Sequence, residues 1–206
     1  FSGCSNLETL ELTAGTSGSI GTYAFQNTAL TQVTIPEGYT TVGASAFRGC
    51  TKLVSVSLPA TLTKLDTTSF NNCTALTTIT LAEGNQSFAS ENGILYSSDK
   101  STIYFIPSGL TTFEVPAGMV YSSSLISLLN GITTLKSITV AADNTSFKAS
   151  YGALYDSSWN LLVVPKAMTT YTIPKEVTKL EYDELFDGSA ITEVTYEEGG
   201  TEKLTI

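Results

Sequence analysis

The side chains that most enzymes use for acid–base and nucleophilic chemistry are scarce in this sequence. Its 206 residues include no histidine, so a serine or cysteine nucleophile would need a lysine or a carboxylate as its base. No local motif pairs such groups. Two carboxylates could hydrolyse glycosides, but the acidic residues fall on surface positions of a repeating pattern that indicates no cleft. The sequence therefore predicts that the chain is not an enzyme and uses no cofactor, with a glycan hydrolase as a remote alternative.

Metal ligands are equally sparse. The cysteines Cys4, Cys50 and Cys73 occupy one position of the repeat, where other copies have threonine, isoleucine or serine. This exchange predicts small buried filler, because a free cysteine behaves as a small hydrophobe, with a disulfide between Cys50 and Cys73 as the alternative. A C-terminal acidic segment predicts a solvated face, and a calcium site is the alternative, although no D-x-D-x-D-G loop is present. Its members are Glu181, Asp183, Glu184, Asp187, Glu193, Glu197, Glu198 and Glu202.

Composition restricts the partners. The chain has 10 basic and 19 acidic residues, a net charge of −9 at pH 7. We therefore expect neither nucleic acid nor an anionic membrane as a partner, since both need a positive surface. Charged residues make up only 14% of the sequence against a usual quarter, and Ser and Thr replace them, as is common in extracellular proteins. No apolar run approaches the ~20 residues that cross a bilayer. Phe1 lies in the middle of a repeat, so we expect a longer parent chain.

The elements that would position any site come from an internal repeat. The first copy has the pattern F-x-x-C-x-x-L-x-x-L-x-L, and later copies keep its apolar positions, several of them adding a proline. Their leading residues are Leu7, Leu30, Leu53, Leu76, Leu110, Leu135, Met168 and Ile191. The spacings are 23, 23, 23, 34, 25, 33 and 23 residues, so two copies carry insertions.

The two insertions, about 85–107 and 144–165, resemble each other. Asn85, Phe88, Gly93, Leu95, Tyr96 and Pro107 of the first match Asn144, Phe147, Gly152, Leu154, Tyr155 and Pro165 of the second. Each has two short apolar runs around a polar turn, which predicts a β-hairpin.

Alternation of apolar and polar residues at the end of each copy is typical of a strand with one buried face. Stacked copies would merge these faces into one core. The sequence therefore predicts a right-handed leucine-rich-repeat solenoid, mostly β, forming one domain over 1–206 with one parallel sheet of about eight strands, short helical or 3₁₀ turns and two β-hairpin insertions. The inward columns are Leu10, Val33, Val56, Ile79, Phe113, Ile138, Tyr171, Val194 and Leu12, Ile35, Leu58, Leu81, Val115, Val140, Ile173, Tyr196. The returning limb has the column Ile20, Val42, Leu65 and Leu180, followed by the buried Phe25, Phe47, Phe70 and Phe186 in a helical turn.

The repeat resembles the BspA-like (Treponema pallidum-type) leucine-rich repeat. The resemblance is carried by Ala46-Phe47-Arg48-Gly49-Cys50 followed by Leu53-Val54-Ser55-Val56-Ser57-Leu58-Pro59, and by the Asn-x-x-Phe insertions. It covers nearly the whole chain. It implies a secreted or cell-surface protein of an anaerobic bacterium or a protozoan, in a family whose described adhesins bind host matrix proteins or other microbes. The family has no shared catalytic residues to carry over.

The candidate binding surface lies at the outward strand positions. Twelve of its sixteen residues are Ser or Thr, which either suits an exposed strand or forms a hydroxyl-lined binding face. The two columns are Thr9, Gln32, Ser55, Thr78, Thr112, Ser137, Thr170, Glu193 and Glu11, Thr34, Ser57, Thr80, Glu114, Thr139, Thr172, Thr195. Trp159, in a hairpin turn, either contacts a ligand or folds back over the hairpin.

We expect an extracellular or cell-surface binding module that recognises a protein or a glycan. It would act as a monomer without membrane insertion. The alternative is a structural spacer that holds another domain off the cell surface.

Overall fold

In a computed structural model, which describes residues 1–15, 17–180 and 185–199, the chain is built almost wholly from short strands. The strands are β1 (Gly18–Ile20), β2 (Gln32–Thr34), β3 (Tyr39–Val42), β4 (Ser55–Leu58), β5 (Lys64–Leu65), β6 (Thr78–Leu81), β7 (Phe88–Glu91), β8 (Ile94–Ser97), β9 (Ile103–Phe105), β10 (Thr112–Val115), β11 (Ser137–Val140), β12 (Phe147–Ser150), β13 (Ala153–Asp156), β14 (Leu161–Val163), β15 (Thr170–Ile173) and β16 (Glu193–Tyr196). The described part has one helix, α1 (Ser123–Asn130). The leucine-rich-repeat solenoid is confirmed.

The contacts divide the chain into two compact units, Phe1–Pro107 and Ser108–Ile206. The boundary follows the first insertion. The single domain over 1–206 stays a prediction. No helix in the described ranges is both long enough and apolar enough to span a bilayer.

In the first unit, β2, β4 and β6 form a parallel sheet in which each coil pairs with the next. The alternation places Val33, Val56 and Ile79 inside, each at most 2% exposed, as predicted. The first coil differs from the prediction. Its residues Leu7, Leu10 and Leu12 pack against the core but form no strand.

The returning limb of the first unit also forms a sheet, which the sequence analysis did not predict. Strands β1, β3 and β5 pair in parallel in that order. Each strand contributes one buried side chain to the core, from Ile20, Val42 and Leu65. The predicted column is therefore confirmed for these three residues, which lie on β-strands. Its fourth member, Leu180, is half-buried against the core of the second unit.

The turns that follow this limb hold the predicted phenylalanines, but they are not helical. Backbone N–H groups point alternately within the turn and to the next coil: Gln26 donates to the Tyr23 oxygen (3.3 Å), whereas Phe25 donates to the Ala46 oxygen (2.8 Å). A helix would require every N–H to bond within the segment. Successive rings stack with centroids 5.7, 5.4 and 5.6 Å apart, in the order Phe1, Phe25, Phe47, Phe70.

Both insertions are three-stranded antiparallel sheets rather than simple hairpins, in the orders β7-β8-β9 and β12-β13-β14. The hairpin between the second and third strand of each is as predicted. The additional first strand is joined by a two-residue turn, Asn92-Gly93 or Tyr151-Gly152. Both residues of each turn have positive φ, from 48° to 81°, which is the geometry of a type I′ turn.

The second unit pairs β10 with β11 and β15 with β16, both in parallel. The strands predicted as one sheet of about eight therefore form three ladders with seven strands among the described residues. The breaks fall at the two insertions, and beyond β11 the N–H of Ile138 donates to the oxygen of Gly152 in the second insertion (2.8 Å). Val194 and Tyr196, predicted to be inward, are 47% and 60% exposed, because β15 is the one described strand that pairs with β16.

Helix α1 replaces the phenylalanine turn in this unit. The hydroxyl of Ser122 accepts from the backbone N–H of Leu125 (3.1 Å), which caps the helix. Leu125 and Leu129, one turn apart, are buried. At the last coil Phe186 is half-buried and packs against Tyr171 with ring centroids 5.6 Å apart.

Candidate binding surface

Six of the predicted surface residues form a registered grid on one sheet of the first unit. Gln32, Ser55 and Thr78 lie side by side on β2, β4 and β6, and the next outward row follows two residues later. All are exposed or half-buried, because their inward neighbours fill the core. We call these six residues the strand face: Gln32, Thr34, Ser55, Ser57, Thr78 and Thr80.

The strand face carries no charged side chain, and most of its side chains form no hydrogen bond with a described residue. The single proton of the Thr80 hydroxyl has two alternative acceptors, the Ser57 hydroxyl (3.1 Å) and the more distant Val56 carbonyl (3.5 Å). Within the described part of the chain, the other four side chains make no hydrogen bond. A ligand would meet donors and acceptors whose only competitor is water. Thr9 and Glu11 are exposed on the first coil, which lacks a strand to place them in this register.

In the second unit the predicted residues fall into two smaller groups. Thr112 and Glu114 on β10 lie beside Ser137 and Thr139 on β11. The other group joins β15 and β16, where the hydroxyls of Thr172 and Thr195 lie 3.0 Å apart. In that group Thr170 lies beside Glu193.

The turn of the second insertion lies against the outward side of β11. A Cβ on Gly152 would lie 3.1 Å from the hydroxyl oxygen of Ser137 and 3.0 Å from the methyl of Met168. Ser137 is accordingly half-buried, while the neighbouring Tyr151 is 49% exposed. Tyr151 was not among the predicted surface residues.

Trp159 folds back over its hairpin, the second of the two readings left open by the sequence. Its ring packs on Tyr155 with centroids 5.3 Å apart. The Lys148 ammonium lies 4.9 Å from the centre of the same ring, within the range of a cation–π interaction. The indole is half-buried and stabilises the insertion from within.

All three cysteines are free thiols. Cys50 and Cys73 are buried, as predicted, and each donates to the phenylalanine carbonyl of the preceding coil, on Phe25 and Phe47 respectively, at 3.1 Å. The neighbouring Cys50 thiol and burial raise the pKa of Cys73, which keeps it a donor. The prediction was wrong for Cys4, which is exposed.

The acidic segment is described only in part. Asp187, Glu193 and Glu198 are exposed, and the carboxylate of Glu197 accepts from the backbone N–H of Lys175 (3.2 Å). Four predicted members lie outside the described residues: Glu181, Asp183, Glu184 and Glu202. Among the residues that the structure does describe, no three acidic or cysteine side chains cluster as metal ligands would.

Two asparagines anchor the insertions, a role that the sequence analysis missed although both were aligned there. The Asn85 amide donates to the carbonyls of Pro59 (3.1 Å) and Leu62 (2.9 Å) of the preceding coil. Its oxygen accepts from the backbone N–H groups of Ser87 and Phe88 (2.8 and 2.9 Å). Both amide hydrogens are thus in use. The second insertion repeats the arrangement with Asn144, Pro116, Met119, Ser146 and Phe147.

Three solved structures resemble this chain, and the first of them supports the same fold. A leucine-rich repeat protein from Eubacterium ventriosum is 20% identical over 89% of this chain and 45% of that one, with a TM-score of 0.56. The pneumococcal vaccine antigen PcpA is 20% identical over 85% and 47%, with a TM-score of 0.48. A leucine rich cell surface protein from Faecalibacterium prausnitzii is 19% identical over 82% and 60%, with a TM-score of 0.46. The chain spans about half the length of these structures.

No curated protein matches the sequence. The family model described as BspA type Leucine rich repeat region matches residues 1–117 with six copies. That match covers more than half of the chain and includes the coils of the strand face. The chain therefore belongs to the BspA-type leucine-rich-repeat family.

Proposed function

We propose that the chain is a non-catalytic binding module of a bacterial cell surface that recognises an extracellular protein or glycan through the strand face. The observation that carries the proposal is the registered, uncharged grid of hydroxyl and amide groups on β2, β4 and β6. Binding there would desolvate no charge within the grid, which avoids the largest cost of burying a polar surface. The side chains stand on a hydrogen-bonded sheet, so little backbone entropy is lost on binding.

The cell-surface location is supported by composition and by family. Charged residues make up 14% of the chain, and hydroxyl side chains provide solubility instead. The family resemblance implies secreted or surface proteins. In this proposal the chain acts as a monomer and needs no cofactor, since stacked repeats offer an extended surface without any bound group.

The test is a binding array of glycans and matrix proteins probed with the purified chain. The variant Thr78→Lys/Thr80→Lys places two long cations on the strand face. The matched control, Thr51→Lys/Thr74→Lys, makes the same charge change at two exposed turn residues. Because Thr51 and Thr74 lie in turns, the control leaves the grid intact.

We expect array binding that weakens by about tenfold or more in the strand-face variant, a loss of about 1.4 kcal/mol, and stays unchanged in the control. Unaltered binding by Thr78→Lys/Thr80→Lys would exclude the strand face. An array without any bound molecule would overturn the binding role. Release of free sugar from arrayed glycans would overturn the non-catalytic assignment.

A further inference from the structure

A second, polar groove lies on the returning limb of the first unit, between β5 and the first insertion sheet. It is a shallow groove, wide open to solvent, with a volume of about 390 Å³. The side chains that give it chemical character are Thr41, Lys64, Asp66, Ser87, Phe88 and Tyr104. The strand face is built from other residues, so the two surfaces can be altered independently.

Two opposite charges in the groove do not neutralise each other. Lys64 forms neither an ion pair nor a side-chain hydrogen bond with any described residue. The Asp66 oxygen Oδ1 accepts from the backbone N–H and the hydroxyl of Thr68 (2.9 and 2.6 Å), which leaves Oδ2 for another donor. An ammonium and a carboxylate that line one groove without pairing are suited to a ligand group that both accepts and donates.

Tyr104 adds an aromatic surface with a polar end. Its ring meets Phe88 edge-to-face, with centroids 5.1 Å apart at 83°, and this contact fixes the ring. Burial and the charges of Asp99 and Asp66 raise the pKa of Tyr104, so its hydroxyl is a donor at neutral pH. No described residue accepts a hydrogen bond from it.

The second insertion shows what replaces the groove when this chemistry is missing. There the strand that corresponds to β9 is β14, and Leu162 stands where Tyr104 stands in the first insertion. Helix α1 packs against β14. In the first unit the corresponding limb carries β5 and its turn, and the groove lies beside them. The polar residue Tyr104 is therefore present where the groove is open, and the apolar Leu162 takes its place where a helix packs.

We infer that the groove binds a neutral saccharide. A sugar hydroxyl can accept from the Lys64 ammonium and donate to the Asp66 carboxylate at once, and hydrogen bonds to charged partners are the strong ones. The apolar C–H side of the sugar ring can pack on Tyr104. One cation and one anion in the groove favour a ligand without net charge. This inference deepens the proposed binding role, because it names a ligand class and a second site.

The test is a calorimetric titration of the purified chain with galactose and with N-acetylglucosamine, and with an acetylated, amidated tetra-alanine peptide as the non-sugar probe. The variants are Lys64→Thr and Asp66→Asn. The asparagine keeps an oxygen that can accept the two hydrogen bonds from Thr68. Tyr104→Leu copies the second insertion. Tyr23→Leu is the control, because Tyr23 is an exposed tyrosine of the same unit outside the groove.

We expect one of the sugars to bind, with a dissociation constant raised about tenfold or more in each groove variant and unchanged in Tyr23→Leu. Melting temperatures near that of the unaltered chain would establish that the variants fold. Binding of neither sugar, binding of the peptide alone, or undiminished sugar binding by Lys64→Thr and Asp66→Asn would overturn the inference. The strand-face variant Thr78→Lys/Thr80→Lys should keep its sugar affinity, so either site can fail without the other.

Discussion

The hydroxyl oxygens of Tyr155 and Tyr171 lie 2.7 Å apart in the interior of the second unit. Both side chains are fully buried. Tyr155 belongs to β13 of the second insertion, and Tyr171 belongs to β15 of the following coil. The hydrogen bond therefore joins the insertion sheet to the repeat, and neither hydroxyl has water as an alternative partner.

The variant Tyr171→Phe should lower the free energy of unfolding by about 1–3 kcal/mol, because it leaves the Tyr155 hydroxyl buried without a partner. Removing both hydroxyls in Tyr155→Phe/Tyr171→Phe should cost less than the single change. Urea denaturation of the two variants measures the difference. A double variant less stable than Tyr171→Phe would contradict this account.

The same pair should make stability sensitive to alkaline pH. Burial raises the pKa of Tyr171 to about 12, against the smaller opposing effect of the hydrogen bond, and burial also raises the pKa of Tyr155. The unfolded chain loses these protons near pH ~10, whereas the folded chain keeps them. The contribution is thus fully present below pH ~10 and is lost as the pH rises through about 12. Urea midpoints between about pH 9 and 11 should fall more steeply for the unaltered chain than for the double phenylalanine variant.

Asn85→Asp should destabilise the first unit by about 1–3 kcal/mol. The change keeps the shape of the side chain but replaces the amide donor with an oxygen that faces the carbonyls of Pro59 and Leu62. Asn71→Asp is the control, because Asn71 is exposed and its side chain makes no hydrogen bond with a described residue. Chemical denaturation should show a lower free energy of unfolding for Asn85→Asp than for Asn71→Asp. Equal free energies of unfolding for the two variants would show that the Asn85 hydrogen bonds are dispensable.

The phenylalanine stack should be unequally sensitive to truncation. Phe47 is 0% exposed between two neighbouring rings, whereas Phe1 is 74% exposed and stacks on Phe25 alone. We expect Phe47→Ala to cost about 3–5 kcal/mol and Phe1→Ala much less. Similar urea midpoints for the two variants would argue against nearest-neighbour stacking.

Tyr151→Asn should raise stability by about 0.5–1 kcal/mol. Tyr151 has φ of 48°, a conformation that is costly for an aromatic residue and tolerated by asparagine. The first insertion has Asn92 at this place. Tyr121→Asn is the control, since Tyr121 is also exposed but has no positive φ. A melting temperature that does not rise would mean that the Tyr151 side chain compensates for its backbone.

The strand columns could be predicted because period two leaves a direct mark in each copy. Val33, Val56 and Ile79 are flanked by polar residues, so their side chains could only face inward. The sheet of the returning limb left a weaker mark. Its strands have two to four residues with a single buried apolar side chain each, too few for alternation to be visible.

The first strand of each insertion was missed for a similar reason, since β7 and β12 each bury only their first residue. The Asn92-Gly93 dipeptide was nevertheless a strong hairpin signal. The strand face followed from alternation alone. The groove at Lys64 and Tyr104 could not have been found this way, because it joins residues forty positions apart through the placement of a whole insertion sheet.

The buried, hydrogen-bonded thiols of Cys50 and Cys73 allow local opening of the first unit to be measured by their alkylation. Cys4 is accessible to an alkylating reagent at all times, whereas Cys50 and Cys73 can react only when the phenylalanine turn that holds each one detaches from its neighbour. The Cys4 rate would give the reactivity of an accessible thiol, and the Cys50 and Cys73 rates relative to it would give opening free energies at two points along the repeat without any introduced label. Mass spectrometry of the natural chain would suffice to record them.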